Sequence, residues 1–234
     1  LKKETGKSCI VILDEFHNLE YLKIKNPYLY FGKIIMIQKD TMYIVTSSRN
    51  QAIKKILSEK LSLLFGNFEI VKIGGFDLNT ANEFIETRLA GFEMDEPLKK
   101  FLIAFTDGNP FYLRRLASSI RSAALRDMSS YISHDIVAHA LVKEIYESGG
   151  SIHQYLMSFI LELIDIKFRE SYVSILTSIA QGRNKQQAIS RALKMNKSEV
   201  SKALVRLAEL GLITKNGIFY TIDDVVLEFW LKFV

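Results

Sequence analysis

The chain has 234 residues, of which 48% are hydrophobic, 24% charged and 11% aromatic, a globular composition that excludes disordered and collagen-like chains. No run approaches the roughly 18 consecutive apolar residues of a membrane span, and the lone cysteine, Cys9, cannot close an internal disulfide, so a reducing, cytoplasmic setting is expected. The formal charge is +5 and uneven: between Phe168 and Gly217 nine bases stand against three acids, which fits either an anionic partner or a merely solvated basic face.

Residues 9–13 (CIVIL) are a short continuous apolar run, as in a strand buried on both faces of a parallel sheet. Residues 42–46 (MYIVT) form a second such run and 69–73 (EIVKI) a weaker third. Helical patterns near 28–38 and 50–64 separate them. Strand, helix, strand, helix, strand is an α/β order. After Gly74-Gly75 the period turns helical. Asn79 or Thr80 can cap a helix to about Leu89, Asp95 another to about Thr106, and Pro110 suits a first turn leading to about Asp127. Helices over 134–147 and 151–166 follow, with no strand pattern among them. Helices at 170–180, 186–193 and from Asn196 or Ser198 come next, the last with Val200, Leu204, Leu207 and Ala208 on one face. Two short strands around Asn216-Gly217 read as a hairpin. Three helices and a hairpin predict a winged helix. The expected domains are an α/β core over 1–75, an all-α subdomain over 76–166 and a winged helix over 167–234.

The first chemical motif is Ile10-Val11-Ile12-Leu13-Asp14-Glu15, which reads as a Walker B strand. A buried strand delivers its last residues to the carboxyl edge of the sheet, where α/β proteins bind ligands. Asp14 there suits Mg²⁺, which prefers oxygen ligands and keeps its waters. Glu15 suits the orientation or deprotonation of an attacking water. The alternative is a surface Asp-Glu pair after an ordinary strand. Thr5-Gly6-Lys7-Ser8 imitates the end of a phosphate loop. It lacks the preceding strand and the following helix, and Leu1 stands where the first glycine belongs. The phosphate loop is therefore expected outside this sequence, in a preceding N-terminal portion. Ser47 and Arg49, after the second strand, stand where a sensor of the γ-phosphate would. Alternatively, Ser48 or Asn50 caps the next helix. His17 has no second histidine at ligand spacing and reads as structural or exposed. The aromatic residues Phe101, Phe105, Phe111 and Tyr112 read as core.

The ordered set IVILDEFHNL, YIVTSSRN, GGFDLNTANEFI, TDGNPFYLRRL, a winged helix and a closing FYTIDDVVLEFWLKFV resembles the archaeal ATPase family of the STAND class, AAA+-related P-loop NTPases. The resemblance runs from Cys9 to Val234. It implies a metal role for Asp14, a catalytic role for Glu15, and a place for Arg49 as the arginine after the sensor strand. It implies that Gly108 and Pro110 form a Gly-x-Pro motif facing the nucleotide base. It also gives Arg114 and Arg115 the option of reaching phosphates, against a plain solvent-exposed helix face. ATP and Mg²⁺ are then implied ligands, held only once the phosphate loop is present. An origin-recognition-type ATPase is the neighbouring reading, but there an asparagine ends the sensor strand.

A winged helix suggests double-stranded DNA, with Lys197, Ser198, Ser201, Lys202 and Arg206 on its last helix and Lys215 on the wing. A protein partner is the other use of such a module, and an oligomer is compatible with either. A DNA-binding regulator with a non-catalytic ATPase remnant is the non-enzyme alternative.

Overall fold

The structure, a computed structural model, describes residues 6–233, the side chains of residues 50, 51 and 65 excepted. Leu1 and Thr5 of the phosphate-loop imitation, the Asn50 capping side chain and Val234 lie outside this description. The chain divides into two compact units, residues up to Val71 with Glu209–Gly211, and Lys72–Ala208 with Leu212 onward. Among the described residues no helix is long and apolar enough to cross a membrane.

The first unit is built on two parallel strands, β1 (Cys9–Leu13) and β2 (Thr41–Val45), paired from Cys9–Thr41 to Leu13–Val45. Helix α1 (Pro27–Ile37) makes the crossover, its proline in the first turn where no backbone donor is needed. Helix α2 (Asn50–Lys55) runs on through a π turn at Ile56–Lys60 and a 3₁₀ turn at Ser62–Asn67. Phe16, Tyr28, Phe31, Ile56, Leu57, Leu61 and Leu64 form its core, against which Leu13, Tyr43 and Val45 of the sheet pack.

Both strands alternate, and this departs from burial on both faces. Ile10, Ile12 and Met42 are 61%, 64% and 59% exposed, because the helices cover only the opposite face. The third expected strand also fails to form. Residues 69–73 have no strand partner among the described residues, and Ile73 is 95% exposed. An apolar run becomes a strand only where a neighbour accepts its ladder.

The second unit begins with α3 (Leu78–Arg88), α4 (Glu96–Thr106) and α5 (Pro110–Arg126). Asp77 caps α3 by accepting from Thr80 N–H at 2.9 Å, so the cap stands two residues before Asn79. Asn109 caps α5 through Phe111 N–H at 2.9 Å. Two close backbone approaches set the start of α3 against the start of α5. Phe76 N–H donates to Gly108 O at 2.8 Å. A Cβ on Gly75 would stand 2.1 Å from Asp107 O, and one on Gly108, at φ +65°, 2.3 Å from Phe76 O. Only glycine fits either position. Contrary to an all-α expectation, Glu93–Met94 (β3) and Tyr131–Ile132 (β4) pair in parallel. Two residues are too few to print an alternating pattern.

Helices α6 (His134–Ile145) and α7 (Ser151–Leu163) follow, then α8 (Arg169–Ala180), α9 (Gln186–Leu193) and α10 (Lys197–Glu209). Val200, Leu204 and Leu207 are each fully buried. Strands β5 (Ile213–Asn216) and β6 (Phe219–Ile222) form an antiparallel hairpin. Asn216 pairs with Phe219, so the loop is Gly217-Ile218, one residue later than the Asn-Gly pair. Gly217 takes φ +63°, which the tight turn needs.

Helix α11 (Val225–Leu231) closes the fold and packs on α4 and α8. Asp224 caps it through Leu227 N–H at 2.9 Å, and its other carboxylate oxygen accepts from Tyr112 OH at 2.7 Å. Burial and that neighbouring carboxylate push the Tyr112 hydroxyl far above the ordinary tyrosine range. Trp230, 2% exposed, donates from Nε1 to His153 Nδ1 at 3.2 Å. The same Nδ1 lies 3.2 Å from Ile145 O, so the ring sits between α6 and α11. Of the aromatic residues read as core, Phe105 and Tyr112 are buried, whereas Phe101 is 46% exposed and stacks on Phe105.

Candidate functional site

The β1–β2 register brings the end of each strand side by side. Thr46 N–H donates to Leu13 O at 2.9 Å and Phe16 N–H to Thr46 O at 2.8 Å, so the ladder continues past both strands. Asp14 and Glu15 thus emerge beside Thr46, Ser47 and Ser48. Asp14 Oδ1 accepts from Thr46 Oγ1 and, at 3.0 Å, from Glu15 N–H. Asp14 is exposed, and its Oδ2 takes no hydrogen bond among the described residues. One carboxylate oxygen is therefore anchored and the other is available to water or a hard cation.

Glu15 is held more tightly. Its Oε2 accepts from Ser48 N–H and Ser48 Oγ, both at 3.0 Å, and lies 3.2 Å from His17 Nδ1. Its backbone takes φ 48°, ψ 50°, the left-handed region. For a residue with a long side chain that costs about 1 kcal/mol, a strain that recurs at functional positions. The bend also turns Glu15 and His17, two residues apart, toward the adjacent hydroxyls of Ser48 and Ser47.

His17 is 4% exposed, and its Nδ1 lies 2.9 Å from Ser47 Oγ. Its carbonyl accepts from Tyr28 OH at 2.7 Å, which fixes the turn to α1. Burial raises the Tyr28 hydroxyl above its ordinary value, and nearby Glu20 adds to this. Ser47 Oγ also accepts from Arg49 N–H at 3.2 Å. Arg49 heads α2 without a side-chain cap, and its guanidinium has no carboxylate partner among the described residues. The Ser48 hydroxyl goes to Glu15, not to the helix end.

The structure thus brings together Asp14, Glu15, Ser47 and Arg49. It adds Thr46, Ser48 and His17, which sequence reasoning did not select. The only available signal for them was their position beside the second strand's end and, for His17, its spacing from Glu15. Among the described residues no three His, Cys, Asp or Glu side chains gather as a metal cage. One free carboxylate oxygen still fits Mg²⁺ of the kind that keeps its waters and takes the rest from phosphates.

In the second unit, Gly108 is buried in its close approach to Phe76, and Pro110 is exposed at the start of α5. Arg114, one turn on, is exposed and lines a recess between α3 and α5. Arg115 donates from Nη2 to Ser151 Oγ, and its buried Nε has no hydrogen-bond partner among the described residues.

In the third region, Lys197, Ser198, Lys202, Arg206 and Lys215 are exposed and Ser201 is half-buried. Ser198 N–H donates to Asn196 Oδ1 at 2.9 Å at the start of α10. Lys185 and Lys215 lie over the Phe219 and Tyr220 rings at 4.8 and 5.9 Å, which spreads positive charge along the hairpin.

No protein-family description matches the sequence, and no curated protein matches it. Solved structures do. The chain is similar to the Walker-type ATPase PABY2304 of Pyrococcus abyssi, with a TM-score of 0.71 and 21% identity, over 98% of this chain and 64% of that one. It is more distantly similar to the Holliday junction branch migration motor RuvB of Thermotoga maritima, with a TM-score of 0.48 and 19% identity, over 93% of this chain and 68% of that one. The chain therefore shares the fold of a Walker-type ATPase and spans less than two thirds of that protein's length.

Proposed function

We propose that the chain is part of a regulatory P-loop ATPase of the STAND class, AAA+-related, which hydrolyses ATP with Mg²⁺. The carrying observation is the acid pair at the end of β1, with Glu15 held by Ser48 and His17 and Asp14 anchored on one oxygen by Thr46. Asp14 would hold Mg²⁺, which when bound neutralises phosphate charge. Glu15 accepts the proton of the attacking water, and Ser48 positions its carboxylate. Ser47 locks His17 and orients the turn to Arg49, whose guanidinium is left for a phosphate. The shared fold with a Walker-type ATPase supports this reading.

The phosphate loop would come from outside residues 6–233. The bare sheet face of Ile10, Ile12 and Met42 and the unpaired run at 69–73 support it, since parallel sheets are ordinarily covered on both faces. The test is single-turnover γ-phosphate release, Glu15→Gln against the unaltered residue, in a protein that also carries a strand, a phosphate loop and its helix.

Residues 167–234 would be the winged-helix effector, read out by double-stranded DNA. The exposed bases of α10 and the hairpin favour this over a protein partner. A labelled duplex titrated at rising salt should bind, and Lys197→Ala with Lys202→Ala should flatten the log–log slope by about 2. No binding at low salt, or an unchanged slope, removes the DNA reading.

A further inference from the structure

The recess between α3 and α5, about 940 Å³ and open to solvent, lies wholly within the second unit. Facing helices ordinarily fill such a seam with apolar side chains. Here α5 contributes Arg114, Ser118 and Arg121, at the i, i+4, i+7 spacing of one helical stripe. Helix α3 contributes Phe84, Thr87 and Arg88 from its facing stripe.

Four guanidinium groups, counting Arg115, meet one carboxylate, Glu83, in this recess. None of the four has a carboxylate partner among the described residues. Arg88 lies over the Phe84 ring at 5.2 Å. Arg121 lies over Phe92 at 5.3 Å and donates to Arg88 O and Ala90 O at 3.3 and 3.1 Å, which holds its charge at the mouth of the recess. Guanidiniums that forgo carboxylates and rest on aromatic faces are pre-arranged for planar, bidentate anions. The hydroxyls of Thr87 and Ser118 add neutral donors.

We propose that this recess binds the phosphodiester backbone of a single-stranded nucleic acid, with the exposed Arg88 guanidinium, backed by the Phe84 ring, as the plane on which a base stacks. Seven residues of α5 separate Arg114 from Arg121, a rise of about 10 Å, which matches roughly three nucleotides of a stacked strand. An extended strand enters a concave seam between helices, and a duplex, a convex rod, does not. Aromatic stacking beside the cations favours nucleic acid over an acidic peptide, which offers no flat faces. The proposal stands apart from the ATPase reading and from the duplex surface of α10.

The test is fluorescence anisotropy of a labelled twelve-residue oligothymidylate titrated with the 234-residue chain at about 50 mM salt. The expected result is saturable binding with a log–log salt slope of about −2, three phosphate contacts on a single strand. Arg88→Glu and Ser118→Glu should each weaken it by about tenfold or more with unchanged thermal unfolding, since neither side chain makes a hydrogen bond inside the fold. Absence of binding, wild-type affinity in both glutamate variants, or equal displacement by polyglutamate would overturn the proposal, the last in favour of an acidic protein segment.

Discussion

Replacing Glu15 by glutamine, in a protein completed by a phosphate loop, is expected to lower Mg-ATP turnover by about 10²–10⁴-fold and to leave Mg-ATP affinity within about threefold. Glutamine keeps the size and planarity of the side chain. Its carbonyl oxygen can still accept from Ser48 N–H and Ser48 Oγ, so the left-handed turn at Glu15 and the packing of Phe16 behind it are preserved. Only proton acceptance is lost. That loss corresponds to about 3–5 kcal/mol of transition-state stabilisation. Single-turnover γ-phosphate release reads chemistry apart from binding. Unchanged release would strip Glu15 of its role, and no release from the unaltered protein would favour a DNA-binding regulator whose ATPase core is only scaffold.

Trp230→Ala is expected to carry the largest stability effect, about 3–5 kcal/mol, and to lower the unfolding midpoint of the second unit by roughly 10 °C. Trp230 is nearly fully buried on α11, the helix that packs on α4 and α8. Alanine leaves a cavity there and also strips His153 Nδ1 of its donor. Trp230→Phe retains most of the apolar area and should cost about 1–2 kcal/mol, chiefly the lost hydrogen bond. Thermal unfolding followed by circular dichroism separates the two variants. Equal midpoints for Trp230→Ala and the unaltered chain would mean that α11 does not hold the hairpin region to the helices before it.

The helices of the second unit were legible because their apolar periods are long and their punctuation is explicit. Pro110 opens α5, Val200, Leu204 and Leu207 mark the inner face of α10, and the hairpin follows Gly211. Its loop fell one residue later than Asn216-Gly217 because cross-strand packing of Tyr220 and Ile222, not the turn pair alone, sets the register. The run at 69–73 misled because strand formation depends on a partner that local composition does not reveal.

The candidate site was legible at the ends of the two strands, in Asp14-Glu15 after β1 and in Ser47 and Arg49 after β2. Asp14 and Glu15 announce themselves by following four aliphatic residues. Their partners Thr46 and Ser48 come from more than thirty positions away and act through pairing register, which no local pattern encodes. His17 looked isolated because its partners, Ser47 and Glu15, meet it only through the left-handed turn. The arginine recess escaped notice for a related reason, since its two stripes lie on different helices.

On the proposed function, the acid pair at the end of β1 binds nucleotide only together with a phosphate loop. Calorimetric titration of Mg-ATP tests this most directly, into residues 1–234 alone and into the same residues joined to an upstream strand, phosphate loop and helix. Saturable binding of one nucleotide per chain is expected only in the completed protein, weakened there by Asp14→Asn in a Mg²⁺-dependent way. Equal binding by residues 1–234 alone, or none by the completed protein, would contradict it.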